Sequence, residues 1–447
     1  MPRRSAPRGP REESPVVEAP ASILSGRAFV RGKLQPVAIA IGDDGRILSV
    51  GRIRRGAPVH DVGDAVILPA ATDLHVHFRD PGPDSRVENI ATGTVQAALG
   101  GVALVGEMPN TEPPVTDLDR LEEKEARVVG RAAVDVLLYA SPSRPGDLAA
   151  LARRAGGFKL YLAPTTGIPD APPLDEVGPL LARLARLGLP VAVHAEDPRQ
   201  FHVPDAVRHL ADWDRVRPPA AEAAALDPLL SAPTALRLHV AHVTEAASVD
   251  RLRARGLSFE ATPQHLLLSE RSSGGSRLKV NPPLRSEADR AELWARFVRG
   301  EIPCLASDHA PHGASEKERD LAQAPSGMPG VETMLPLLLA RVRRGDLALS
   351  TLLAAACDRP ARWLGQPIGR IAPGHRAHLM VVDFRARGPI TARQLHAPCG
   401  WTAFEGWEGI FPREHYRDGR PIVLDGEYVG RPDGRVVRPE YARGPEP

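Results

Sequence analysis

Between residues 73 and 307 the chain repeats one pattern eight times: a short apolar run, then a stretch with helical periodicity or a loop. The runs are DLHVH (73–77), VALVGE (102–107), AVDVLLY (133–139), FKLYL (158–162), VAVHA (191–195), LRLHVAH (236–242), LSFEAT (257–262) and IPCLAS (302–307). Runs of this kind, spaced by helix-forming segments such as LDRLEEKEARVV and RAELWARFVRG, ask for parallel strands covered by helices. Eight of them predict a (β/α)8 barrel. A doubly wound open sheet is the alternative, but the turn after the first run has no glycine-rich phosphate loop.

Outside that span the pattern changes to short alternating runs broken by Gly and Asp. GRAFVRGKLQPVAIAIGDDGRILSVG stands at one end, IGRIAPGHRAHLMVVDF and HYRDGRPIVLDGEYV at the other. The two ends are expected to pair into one β-sandwich. The chain then divides into a disordered tail (1–20), a sandwich (21–68 with 365–440) and the barrel (69–364).

Charge excludes some functions. With 57 Lys+Arg against 55 Asp+Glu the formal net charge is +2, too even for a protein that works through a large basic field, so no nucleic-acid partner is expected. No run approaches the roughly 18 apolar residues of a membrane span, and the first twenty residues mix Arg, Glu and Pro without an apolar secretory core. Cys304, Cys357 and Cys399 form no CxxC pair, which argues against a disulfide framework and against thiolate-bound zinc. A reducing, cytoplasmic location is expected.

Barrel chemistry collects at the carboxyl ends of the strands, and ligand-type residues gather there. His75 and His77 are two apart, so strand alternation turns both imidazoles to one face. Asp73 precedes them on that face as an acceptor that could orient the pair. Strand six holds two histidines three apart, on opposite faces; His242, at the strand's end, is read as facing inward and His239 as packing outside. His194 ends strand five, and Asp308 follows strand eight, with N-capping of a helix as its bland alternative. Lys159 lies within strand four. A buried ammonium is expensive, and a dry site lowers its pKa and frees an amine that can add carbon dioxide to become a metal-bridging carbamate. Imidazole and oxygen donors without thiolate suit zinc. Two close cations would acidify a shared water for attack on an amide carbonyl, with Asp308 moving the proton to the departing nitrogen.

The motifs DLHVHFRDPG, EMPNTEPP, FKLYL, VHAED, HVAHVT, TPQHLLL, KVNPPLR, ASDHAPH and CGWTAFEG, in this order from 73 to 406, resemble the dihydroorotases of the amidohydrolase superfamily, in the branch with a carbamylated lysine. The resemblance implies interconversion of N-carbamoyl-L-aspartate and L-dihydroorotate in pyrimidine biosynthesis. It places His75, His77, Lys159 carbamate and Asp308 around one zinc, and Lys159 carbamate, His194 and His242 around a second. It assigns Arg79, Asn110, Asn281, His312, Pro329 and Gly330 to the substrate, with Arg79 suited to a carboxylate. A salt bridge from Arg79 to Asp80 or Glu88 is the bland alternative. Thr165 and Thr166 fall where some relatives carry a covering loop. A homodimer and a complex with aspartate transcarbamoylase are left open. So are two other functions: another cyclic amidohydrolase (hydantoinase, dihydropyrimidinase or allantoinase), and an inactive dihydroorotase-like scaffold.

Overall fold

The computed structural model describes residues 20–51, 56–142, 148–204 and 206–442. The expected tail therefore lies, but for residue 20, outside the described residues. All eight expected barrel strands form: Ala71–Val76, Val102–Glu107, Asp135–Ala140, Gly157–Tyr161, Val191–His194, Leu238–Val240, Ser258–Ala261 and Cys304–Leu305. They are counted here as strands one to eight. Each pairs in parallel with the next. The ring closes beyond strand eight, where Val76 bridges His309 in parallel and His77 N donates to His309 O at 2.7 Å.

Strand alternation sorts the side chains into two layers. Leu74, Leu104, Leu137, Tyr139, Ala192 and Cys304 make a compact cluster that fills the barrel's lower interior. Val105, Val136, Leu138, Phe158, Leu160, Val191, Val193, Leu238 and Val240 point the other way, into the larger core under the helices. The helix Leu118–Val128 shows how that layer is made. Asp117 caps it by accepting from Arg120 N, and it buries Leu121, Lys124 and Val128. With the lower barrel full, open space remains at the carboxyl ends of the strands.

The two chain ends join in one eight-stranded sheet. Its order is Glu427–Tyr428, Arg420–Leu424, Glu414–Arg417, Leu379–Val382, Val59–Pro69, Ser22–Val30, Lys33–Ile41 and Ile47–Gly51. Neighbours are antiparallel except Ser22–Val30 with Val59–Pro69. Farther on, Val436–Val437 pairs in parallel with strand three. Among the described residues no helix is long and apolar enough to cross a membrane.

Candidate metal centre

The strand ends bring five predicted residues, His75, His77, His194, His242 and Asp308, to the wall of one cleft, with Lys159 buried behind His75. His75 sits inside strand one with His77 just past it, Lys159 lies in strand four, and His194 is the last residue of strand five. His242 and Asp308 lie two and three residues beyond strands six and eight. Both have left-handed backbones, with φ of 36° and 47°, and Arg79 has φ of 57°. Such a conformation costs a non-glycine residue about 1–3 kcal/mol and persists only where surroundings over-determine it. Here it turns side chains into the mouth that a continuing strand would have pointed elsewhere.

The ligand atoms of His75, His77 and Asp308 all lie within 4.8 Å of one another. Nε2 of each histidine is 3.3 Å from Asp308 Oδ1. Their other ring nitrogens are held from behind: His75 Nδ1 donates to Glu260 Oε1 at 2.7 Å and His77 Nδ1 to Asn110 Oδ1 at 2.6 Å. That fixes the tautomer and aims each Nε2 lone pair at the cleft, the usual dressing of a metal-binding histidine. On the far side His194 Nε2 donates to Glu196 Oε2 at 2.8 Å, leaving Nδ1 3.0 Å from His242 Nε2. Lys159 Nζ is 3.4 Å from His75 Nε2 and fully buried.

Burial dominates the electrostatics. It pushes His75 down to about 4, and carries His77 and His242 well below and His194 below the ordinary imidazole value. All four are neutral at physiological pH, with lone pairs free for a cation. Burial also lowers Lys159 to about 8. Burial alone would raise Glu260, yet His75 and His239 hold its carboxyl well below the usual range, so it stays anionic behind the histidines. The donor set fits a borderline divalent cation.

Arg79, Asn110, Asn281, Thr165 and Thr166 line the same cleft, whose cavity volume is about 50 Å³. Arg79 is buried; its Nε donates to Pro311 O at 3.2 Å and Nη2 lies 3.2 Å from His312 Nε2. The alternative ion pairs are not made. Asp80 faces Arg127 and Arg131 at 3.8 and 3.9 Å, and Glu88 lies 3.3 Å from His309. Asn110 gives its carbonyl to His77, and its amide nitrogen is the group left to offer the cleft. Pro329 and Gly330 are not among the lining residues; Gly330 N donates to His309 Nδ1 at 3.0 Å, behind the wall.

Two readings need correction. His239 does not pack outside: it points into the barrel beneath the centre, between Ser258 Oγ and Glu260 Oε2, both at 2.8 Å. The alternation argument failed because the strand stops at Val240, so His242 no longer obeys it. Asp73 orients no imidazole. Its Oδ1 accepts from the backbone N of His75 and of Ser307, both at 3.1 Å, tying strand one to strand eight. Sequence reasoning missed Glu260, Glu196 and Tyr161. Glu260 had a signal, an acidic residue inside an apolar strand run. Glu196 had a weaker one, two residues past His194; its partner Arg217 grips it at 2.5 and 3.1 Å. Tyr161 lines the cleft two residues after Lys159, its ring 5.3 Å from Nζ.

A barrel whose strand ends hold an imidazole–carboxylate cluster defines a class of metal-assisted hydrolases. Residues 66–408 match the amidohydrolase family, and the chain belongs to it. It is 38% identical over 427 residues to the dihydroorotase of Halobacterium salinarum, covering 93% of this chain and 99% of that one. Identity to the dihydroorotase of Methanosarcina acetivorans is 34%, over 92% and 93% of the two chains. Among solved structures, the L-hydantoinase (dihydropyrimidinase) from Arthrobacter aurescens superposes with a TM-score of 0.86 at 27% identity, over 93% of this chain and 99% of that one. A D-hydantoinase from Bacillus sp. AR9 has the same fold, with a TM-score of 0.84 at 21% identity over 94% and 99% of the two chains.

Proposed function

We propose that the chain is a dihydroorotase, closing N-carbamoyl-L-aspartate to L-dihydroorotate and water and running the reverse hydrolysis. The observation that carries this reading over other cyclic amides is Arg79, a buried guanidinium beside the metal cluster that makes no ion pair among the described residues, with Asp80 and Glu88 engaged elsewhere. A buried cation without an anion is costly, and a substrate carboxylate would complete it bidentately. The dihydroorotases among its relatives support the same assignment.

Lys159 Nζ is the amine we assign to carboxylation: it bonds the carbon of CO2 and releases a proton, becoming an anion with two donor oxygens. His75, His77, Asp308 and Lys159 would hold one zinc ion, and Lys159, His194 and His242 a second. When bound, the pair supplies an acidified water and a Lewis acid for the amide carbonyl. In hydrolysis the Asp308 carboxylate accepts the water's proton and delivers it to the ring nitrogen as the amide C–N bond breaks. Glu260 and Asn110 hold the histidine tautomers throughout. Ring closure consumes a proton, so it should gain toward lower pH while hydrolysis gains toward higher pH. The test is turnover of dihydroorotate, hydantoin and allantoin side by side on protein whose bound metal has been counted. Preference for hydantoin or allantoin would refute the assignment.

A further inference from the structure

Beside the cleft two more lysine side chains are buried, Lys317 fully and Lys279 almost so, and among the described residues neither forms an ion pair; burial lowers Lys279 to about 8 and Lys317 to about 7. Lys279 Nζ donates to three carbonyls, Leu321 O at 2.7 Å, Ala324 O at 2.8 Å and Ala322 O at 3.2 Å. Lys317 Nζ donates to Pro325 O at 2.8 Å and to Lys279 O at 3.1 Å. The acids flanking Lys317 turn away: Glu316 accepts from Gly313 N and Glu318 pairs with Arg277, both at 3.0 Å.

Each lysine also sits against a tryptophan. Lys279 Nζ is 4.1 Å from the centre of the Trp213 ring, and Lys317 Nζ is 5.8 Å from that of Trp401. Those two indoles hold Asn281, which lines the cleft, and His312, which stands against Arg79. Trp213 Nε1 donates to Asn281 Oδ1 at 3.1 Å, and Trp401 Nε1 to His312 O at 2.8 Å. The loop whose carbonyls the lysines gather ends in Ser326, which donates to Asn281 Oδ1 at 3.2 Å and whose carbonyl lies 3.0 Å from His312 Nε2. Ser326 and Gly327 line the same cleft as the metal cluster.

We infer that Lys279 and Lys317 are positioning residues for substrate specificity, fixing the 321–326 loop and lending positive charge to the wall so that the cleft selects a ring bearing a carboxylate. A neutral side chain in either place would release the carbonyls of residues 321, 322, 324 and 325 and remove a positive charge from the side of the wall where His312 stands. This rests on the dihydroorotase reading.

The experiment compares wild type with Lys317→Met, Lys279→Met and the charge-keeping Lys317→Arg. It reads KM and kcat for dihydroorotate, inhibition constants for orotate and for uracil, bound metal and the thermal midpoint. Expected for each Met variant are a KM and an orotate constant raised about tenfold or more, with kcat within about twofold and the uracil constant and metal content unchanged. Lys317→Arg should recover part of the loss. Equal weakening of orotate and uracil, or a fall in kcat and thermal midpoint with no change in the orotate-to-uracil ratio, would overturn the inference. A wild-type enzyme that turns over hydantoin but not dihydroorotate would instead sink the reading beneath it.

Discussion

The barrel mouth and the junction between the barrel and the chain-end sheet are both rich in buried charge, yet they treat it in opposite ways. At the junction Asp418 accepts from Arg376 Nε at 2.6 Å and His378 Nε2 at 2.9 Å, with Arg435 at 3.1 Å, while Asp135 is shared by Arg417 at 3.1 Å and Arg435 at 2.7 Å. Acids and bases there meet one another. At the mouth Arg79 and Lys159 make no such pair among the described residues, and two of the strand-end residues hold left-handed backbones. The junction uses charge to fasten two units together. The mouth leaves these cations unmatched, which costs stability and leaves room for bound anions to complete them.

The contrast is tested most harshly at Lys159. Lys159→Ala should lose bound metal and at least about a thousandfold in turnover, with partial rescue by a small carboxylic acid. Metal analysis and kinetics on one preparation would check it, and full metal content with normal rates would erase the distinction. Arg79→Met should raise KM for dihydroorotate about a hundredfold while metal content stays intact. Unchanged KM would mean the guanidinium meets no substrate carboxylate.

Glu260→Gln keeps the shape but weakens the acceptor behind His75 and His239, and should cost about 10- to 100-fold in metal affinity, read by titration with a chelator. The smallest effect on catalysis belongs to the junction. Asp418→Asn should leave kcat and KM alone and cost about 2 kcal/mol of stability, since the ion cluster is partly exposed. Burial would raise the Asp418 carboxyl, but His378 and the arginines hold it well below its usual value. A depressed carboxylate stabilises the fold above its unfolded pKa of about 4 and loses that contribution as pH falls through the folded one. Denaturation midpoints of wild type and variant should therefore differ most above about pH 5 and converge in acid.

Much of this was legible in the sequence because strand runs and metal ligands are local signals. His75 and His77 announce themselves by spacing, and Lys159 by its presence within an apolar run. What stayed hidden depends on contacts across the barrel. Glu260 reaches His75 from 185 residues away, and Asp73 meets Ser307 across the closure of the ring. His239 was misread because strand six ends two residues earlier than its apolar run suggests. Gly330 N meets His309 Nδ1 through the backbone, a contact that no side-chain pattern announces.

The most direct measurement is the number of metal ions bound per chain, in wild type and in Lys159→Ala, taken with the rate on dihydroorotate. The account predicts two ions and rapid turnover for the wild type, and loss of metal and of rate together in the variant. Rapid turnover by metal-free protein, or a variant that keeps both ions and the full rate, would contradict it.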